Sequence, residues 1–175
     1  MSAVFRCPEF RSLAWCAQIR TAIDRGRLSA AEIYDGDYRV DEDVRRTLEA
    51  DVDAAVVREV EDAIAGVRPD VSRFFGAPLV GAEGPGFLRY RQGGFYAPHR
   101  DSLADAEDRF PRRVSLVLFL SACEGGTLRM WDDAEEGPIE IMPVPNTLIA
   151  FPATWLHEVL PVTAGVRDVI VDWFY

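Results

Sequence analysis

The stretch Tyr90-Arg91-Gln92-Gly93-Gly94-Phe95-Tyr96-Ala97-Pro98-His99-Arg100-Asp101 decides how the rest of the chain is read. His99 and Asp101 stand two residues apart. On an extended backbone such residues share a face, because strand side chains alternate with period two. The chain holds only two histidines, His99 and His157. Two neutral imidazoles and one carboxylate are the ligand set of a facial triad, which holds non-haem Fe(II) on one side and leaves the other side open. An HxD pair alone is a weak signal, since any His and Asp on a strand produce it. It gains weight here because both histidines fall in a β-type segment, at strand edges.

That segment begins at Pro78. From there to Tyr175 the apolar runs are short, rich in Val, Ile, Phe and Leu, and broken by Gly, Pro and Asp. The pattern predicts strands over 86–91, 95–99, 113–121, 127–131, 138–142, 147–151, 156–162 and 167–174. Eight short strands in this space fit a jelly roll, a double-stranded β-helix of two packed sheets. Gly125-Gly126 and Glu136-Gly137-Pro138 punctuate turns. The polar stretch 101–113 is the longest connection and is expected beside the site mouth.

Upstream, the apolar spacing predicts helices over 9–27 and 53–74. Ser29 before Ala30, Ala31 and Glu32 has a capping-box pattern. Residues 33–40 read as extended. The expected organisation is one domain over 1–175, mainly β with supporting helices: 1–77 as helical support packed on one sheet, 78–175 as the jelly-roll core.

Arg167 follows His157 by ten residues, after the turn Thr163-Ala164-Gly165. It starts the last strand on a face that continues with Val169, Val171 and Trp173. A buried guanidinium must find an anion, because an unpaired buried charge is costly. A dicarboxylate reaching inward from the metal would serve, gripped bidentately. A salt bridge to a rim Asp or Glu is the alternative.

Bulk composition narrows the partners. The chain has 175 residues, 49% apolar and 27% charged, with a formal net charge of −10. An acidic surface argues against nucleic acid and anionic membrane as partners. No run approaches the apolar length of a membrane span. Cys7, Cys16 and Cys123 are odd in number and form no CxxC, and the start shows no signal-peptide pattern. A cytoplasmic protein with free thiols is expected.

The residues from Pro78 onward resemble the iron(II)- and 2-oxoglutarate-dependent oxygenases of the prolyl 4-hydroxylase type. The likeness runs through Tyr90-x-x-Gly93-x-x-Tyr96-x-x-His99-x-Asp101, Glu124-Gly125-Gly126-Thr127-Leu128, His157-Glu158-Val159-x-Pro161-Val162, Gly165-Val166-Arg167 and Trp173-Phe174. The resemblance implies that His99, Asp101 and His157 bind Fe(II), and that Arg167 pairs with the distal carboxylate of 2-oxoglutarate. It implies a second hydrogen bond to that carboxylate from Tyr90, and pocket positions for Tyr96 and Trp173. Ser115, Val117 and Phe119 would flank the co-substrate. The implied reaction uses O2 to hydroxylate an unactivated C–H, with succinate and CO2 as products. Its substrate would be a peptidyl or free amino acid, proline leading by analogy. A tailoring oxygenase on a small metabolite and a non-catalytic metal-binding β-sandwich module are the alternatives.

Overall fold

Strands of alternating exposure and two amphipathic helices sort into layers according to which faces they must bury. The structure is a computed structural model that describes residues 4–34, 36–102, 111–132 and 137–175. In chain order the elements are β1 (Phe5–Cys7), α1 (Leu13–Arg25), β2 (Arg27–Ala30), β3 (Ile33–Tyr34), β4 (Tyr38–Arg39), β5 (Leu48–Asp51), α2 (Ala54–Phe75), β6 (Gly86–Tyr90), β7 (Tyr96–His99) and β8 (Val114–Phe119). Then follow β9 (Cys123–Gly125), β10 (Leu128–Trp131), β11 (Ile139–Ile141), β12 (Thr147–Pro152), β13 (Leu156–Val159), β14 (Val162–Gly165) and β15 (Arg167–Phe174).

A seven-stranded sheet has the order β1-β12-β8-β15-β6-β5-β2, and a four-stranded sheet the order β11-β10-β13-β7. Together they form the jelly roll, and the fold is mainly β as the sequence pattern indicates. The helices cover the outer face of the larger sheet. Ile19 and Ile23 of α1 and Val60, Ile64 and Val71 of α2 pack there with Leu116, Leu118, Leu148 and Ile170. Between the sheets a second core joins Leu88, Val117, Phe119, Phe151 and Val169 to Leu128, Met130 and Val159. β8 therefore has covered faces on both sides, and all six of its residues are buried. Phe119 and Phe151 are fully buried. Each contributes about 1.5–3 kcal/mol relative to exposure.

The N-terminal part is more than helical support. β1, β2 and β5 extend the larger sheet, β1 along β12 and β5 along β6. Ser29 does not cap a helix: it lies in β2, paired with Glu49 of β5. The first helix starts later than its apolar spacing suggests. Ser12 caps it by accepting a hydrogen bond from the Trp15 N–H at 3.1 Å. The expected strand 156–162 breaks at Leu160-Pro161. Its second part becomes β14, which takes in the expected turn Thr163-Ala164-Gly165 and pairs with β9.

On the outer face Asp168 ties α1 to the sheet. It is fully buried and accepts from Arg20 Nε at 2.9 Å and from Arg89 Nε and Nη2 at 2.7 and 2.9 Å. Arg89 also pairs with Asp24 of α1 at 2.7 Å. The Asp168 carboxylate, followed by the opposing effect of burial, holds the Arg89 pKa above its ordinary value.

Candidate active site

β7 and β13 pair antiparallel, and His99 stands directly opposite His157 in their register. The pairing brings the imidazole centroids to 4.2 Å. Each ring is then oriented by the carbonyl two residues earlier. His99 Nδ1 donates to Ala97 O at 2.9 Å, and His157 Nδ1 donates to Trp155 O at 3.0 Å. A proton held on Nδ1 leaves the lone pair on Nε2. Asp101 leaves β7 with its backbone N–H on Ala153 O, as does Ser102. Its Oδ1 lies 3.7 Å from His99 Nε2 and its Oδ2 3.5 Å from His157 Nε2. One ligand atom from each residue lies within 4.8 Å of the other two, close enough to share one ion.

Protonation states suit a cation. Burial, then the neighbouring His157, lowers the His99 pKa to about 4, so the ring is neutral near pH 7. Burial pushes the Asp101 carboxyl up, but His157, His99 and the Ser115 hydroxyl outweigh it and hold its pKa below the ordinary value. Ser115 Oγ donates to Asp101 Oδ2 at 2.6 Å. Aromatic rings wall the imidazoles in. Tyr96 stacks on His99 at 3.6 Å, and Phe151 meets His157 edge-on at 4.9 Å.

The triad opens on a cavity of about 920 Å³ that also reaches Tyr90, Arg167 and Trp173. Arg167 is 1% exposed. It pairs across the sheet with Tyr90, and its guanidinium carbon lies 4.8 Å from the Tyr90 ring centroid and 5.3 Å from that of Phe119. Burial lowers its pKa, an effect that Tyr90 and Cys123 partly offset. No carboxylate of a described residue pairs with it, and its Nε has no hydrogen-bond partner. The rim salt bridge that the sequence left open is thus absent among the described residues. Gly126 makes room for this arginine. Its φ is +62°, and a Cβ there would sit 2.9 Å from both Arg167 Cδ and Cys123 Sγ.

The cavity gathers nearly every residue singled out from the sequence. His99, Asp101, His157, Arg167, Tyr90, Tyr96, Ser115 and Trp173 all line it. Phe119 does not; it packs behind Arg167. Ser115 lies in the cavity, with its hydroxyl committed to Asp101. Sequence reasoning missed Arg45, Tyr34 and Tyr38, which come from the N-terminal part, and the Arg112–Glu83 pair. Arg112 Nε and Nη2 donate to the two Glu83 oxygens at 2.7 Å each, and its guanidinium lies 3.7 Å over the Trp173 ring. Most of the 101–113 connection, expected at the mouth, lies outside the described residues. Ser102, Pro111 and Arg112 at its two ends do line the cavity.

A His-x-Asp…His cluster at one end of a jelly-roll interior offers the donors that a non-haem metal ion takes, and the arginine in the same cavity has no carboxylate partner among the described residues. The chain belongs to the 2OG-Fe(II) oxygenase superfamily, whose family model matches residues 85–175. That membership carries Fe(II), 2-oxoglutarate and O2. The donor set fits Fe(II), and the orphaned Arg167 fits a dicarboxylate. A PKHD-type hydroxylase of Stenotrophomonas maltophilia is 38% identical over 96 residues, covering 51% of this chain and 41% of that protein. The matched stretch spans about two fifths of the curated relatives it resembles. A Pseudomonas putida prolyl-4-hydroxylase superposes with TM-score 0.76 at 24% identity, over 98% of this chain and 91% of that one. A Trichoplax adhaerens prolyl hydroxylase, solved with a hypoxia inducible factor peptide fragment, gives 0.81 at 18% identity, over 100% and 84%. At these identities the two structures speak for the fold. Among the described residues no helix is long and apolar enough to cross a membrane, and the three cysteines are free.

Proposed function

We propose that residues 1–175 act as one oxygenase unit that hydroxylates an unactivated C–H of a peptidyl or free amino acid, of the proline type. The observation that carries this reading is Arg167: a buried cation with no carboxylate partner among the described residues, in the same cavity as the His99–Asp101–His157 cluster. The names of the relatives support the substrate class by likeness, which is a weaker warrant than the site itself.

In this reading His99 Nε2, His157 Nε2 and one Asp101 oxygen hold Fe(II). Arg167 grips the distal carboxylate of 2-oxoglutarate, with Tyr90 beside it and Phe119 fixing the arginine from behind. When bound, iron and 2-oxoglutarate supply the oxidising power for hydroxylation, giving succinate and CO2. The protein's share is orientation and exclusion of water. The carbonyls of Ala97 and Trp155 fix the imidazoles, and Ser115 fixes the carboxylate. Tyr96, Phe151 and Trp173 keep the cluster dry. The free cysteines suit a reducing, cytoplasmic setting.

Two measurements test the reading. Anaerobic Fe(II) with 2-oxoglutarate should give a weak visible charge-transfer band that His157→Ala abolishes. Succinate should be released over a panel of amino acids, peptides and small metabolites. A band that survives His157→Ala sinks the metal assignment. A band with no succinate from any substrate favours the non-catalytic module.

A further inference from the structure

Resting on the reading above, we propose that Arg45 anchors a carboxylate of the primary substrate. The site then takes a free amino acid, or a peptide bearing an acidic residue next to the target, in preference to a neutral ligand.

Arg45 reaches the site through a fixed piece of backbone. The segment before β5 runs along β7: Arg45 bridges to Tyr96, the Arg46 N–H donates to Phe95 O at 2.9 Å, and the Ala97 N–H donates to Val44 O at 2.8 Å. The guanidinium carbon sits 4.7 Å from the Tyr96 ring centroid. That ring in turn stacks on His99 at 3.6 Å. A column of cation, phenol and imidazole therefore runs from the cavity wall to a proposed metal ligand. A substrate held at the top of the column would lie in the same cavity as the His99–Asp101–His157 cluster.

The hydrogen-bonding capacity of Arg45 is not used up. Nη1 donates to the Glu32 carbonyl at 2.7 Å, while Nε is buried without a partner. No carboxylate of a described residue pairs with Arg45. Of the other arginines that line the cavity near the mouth, Arg112 is paired with Glu83 at 2.7 Å, and Arg100 donates to the Thr154 carbonyl. A planar guanidinium already ordered by stacking loses little freedom when it binds a planar anion. Arg167 cannot play this part, because its place beside Tyr90 suits the co-substrate. Arg45 is half-buried and lines the cavity.

The test reads binding directly, on protein loaded with Zn(II) and 2-oxoglutarate so that no turnover occurs. Ligand-observed NMR gives dissociation constants for two matched pairs: L-proline against L-prolinamide, and Ac-Gly-Asp-Pro-Gly-NH2 against its Asn counterpart. At least one carboxylate member should bind about 10-fold tighter than its neutral partner. The pair that responds tells a free amino acid from an acidic peptide. Arg45→Gln should abolish the preference and Arg45→Lys should keep part of it, with Zn(II) and 2-oxoglutarate affinities unchanged in both. A wild type with no carboxylate preference, or a preference that survives Arg45→Gln, overturns the inference. Failure of the wild type to bind Zn(II) or 2-oxoglutarate would instead overturn the oxygenase reading beneath it.

Discussion

Arg167 and Asp168 are neighbours on β15, and their charges meet opposite surroundings. Strand alternation sends one to each face of the larger sheet. On the outer face Asp168 is fully buried and closed in by Arg20 and Arg89, which α1 and β6 deliver. On the inner face Arg167 is as deeply buried, lies beside the Tyr90 and Phe119 rings and Gly126, and has no carboxylate partner among the described residues. The consequences are visible in opposite directions: Arg89 has its pKa raised by its carboxylate partner, and Arg167 has its pKa lowered by burial. One buried charge is finished by the fold and serves as structure. The other has no carboxylate partner among the described residues, which suits the co-substrate role proposed for it. Burial alone does not separate the two; the presence of a protein counterion does.

Four perturbations test this contrast, from the largest expected effect to the smallest. Asp168→Ala leaves the buried end of Arg89 with Asp24 as its remaining carboxylate and releases the half-exposed Arg20, and should destabilise the fold by about 3 kcal/mol in denaturant unfolding. Material that stays folded should bind 2-oxoglutarate normally. Arg167→Met should do the reverse. It removes an uncompensated cation, so stability should hold or rise, while 2-oxoglutarate affinity should fall about 100-fold or more by calorimetry. If Arg167→Met unfolds the protein as Asp168→Ala does, the two sites do not differ in kind. Ser115→Ala deletes the donor to Asp101 Oδ2 and should weaken metal binding about 10- to 100-fold, with Ser115→Thr retaining most of the affinity.

The smallest effect is in the pH dependence of the metal-free protein. Burial lowers His99 from 6.5 to about 4, so between those values the unfolded state binds more protons and stability falls on acidification. Burial raises Asp172 from 3.8 to about 6, so across that window the folded state binds more protons and stability rises on acidification. The two partly cancel. Asp172→Asn should expose the His99 contribution as a steeper loss of stability between pH 6.5 and 4. An unchanged slope would mean that Asp172 is not strained in the native state.

The half of the site nearest the surface of the sequence was legible. His99 ends β7 with Asp101 two positions beyond it, and His157 and Arg167 lie on strands of clear apolar pattern, so local spacing points to them. The jelly roll itself follows from short apolar runs between turn residues. Three- and four-residue strands carry too little pattern to be seen: nothing marks β1, β9 runs into the turn signal Gly125-Gly126, and Ser29 in β2 carries a helix-start pattern. Arg45 left no signal at all. It joins the site through a bridge to Tyr96, fifty-one positions away, and nothing around residue 45 announces that contact. The arginine's missing counterion is likewise a fact of three dimensions, as is the committed hydroxyl of Ser115.

The position of β15 has a consequence for how the chain is made. It lies between β8 and β6, at the middle of the seven-stranded sheet, yet it is the last described strand in sequence. During synthesis β6 and β8 emerge first and wait with unpaired edges until Arg167–Phe174 leaves the ribosome. Such edges invite wrong partners, and long-range pairing is slow to form. The same late insertion that seals the sheet also delivers Arg167 to the cavity. The strand that completes the middle of the sheet is thus also the one that places Arg167 in the cavity, so closing the sheet and completing the cavity wall are one event.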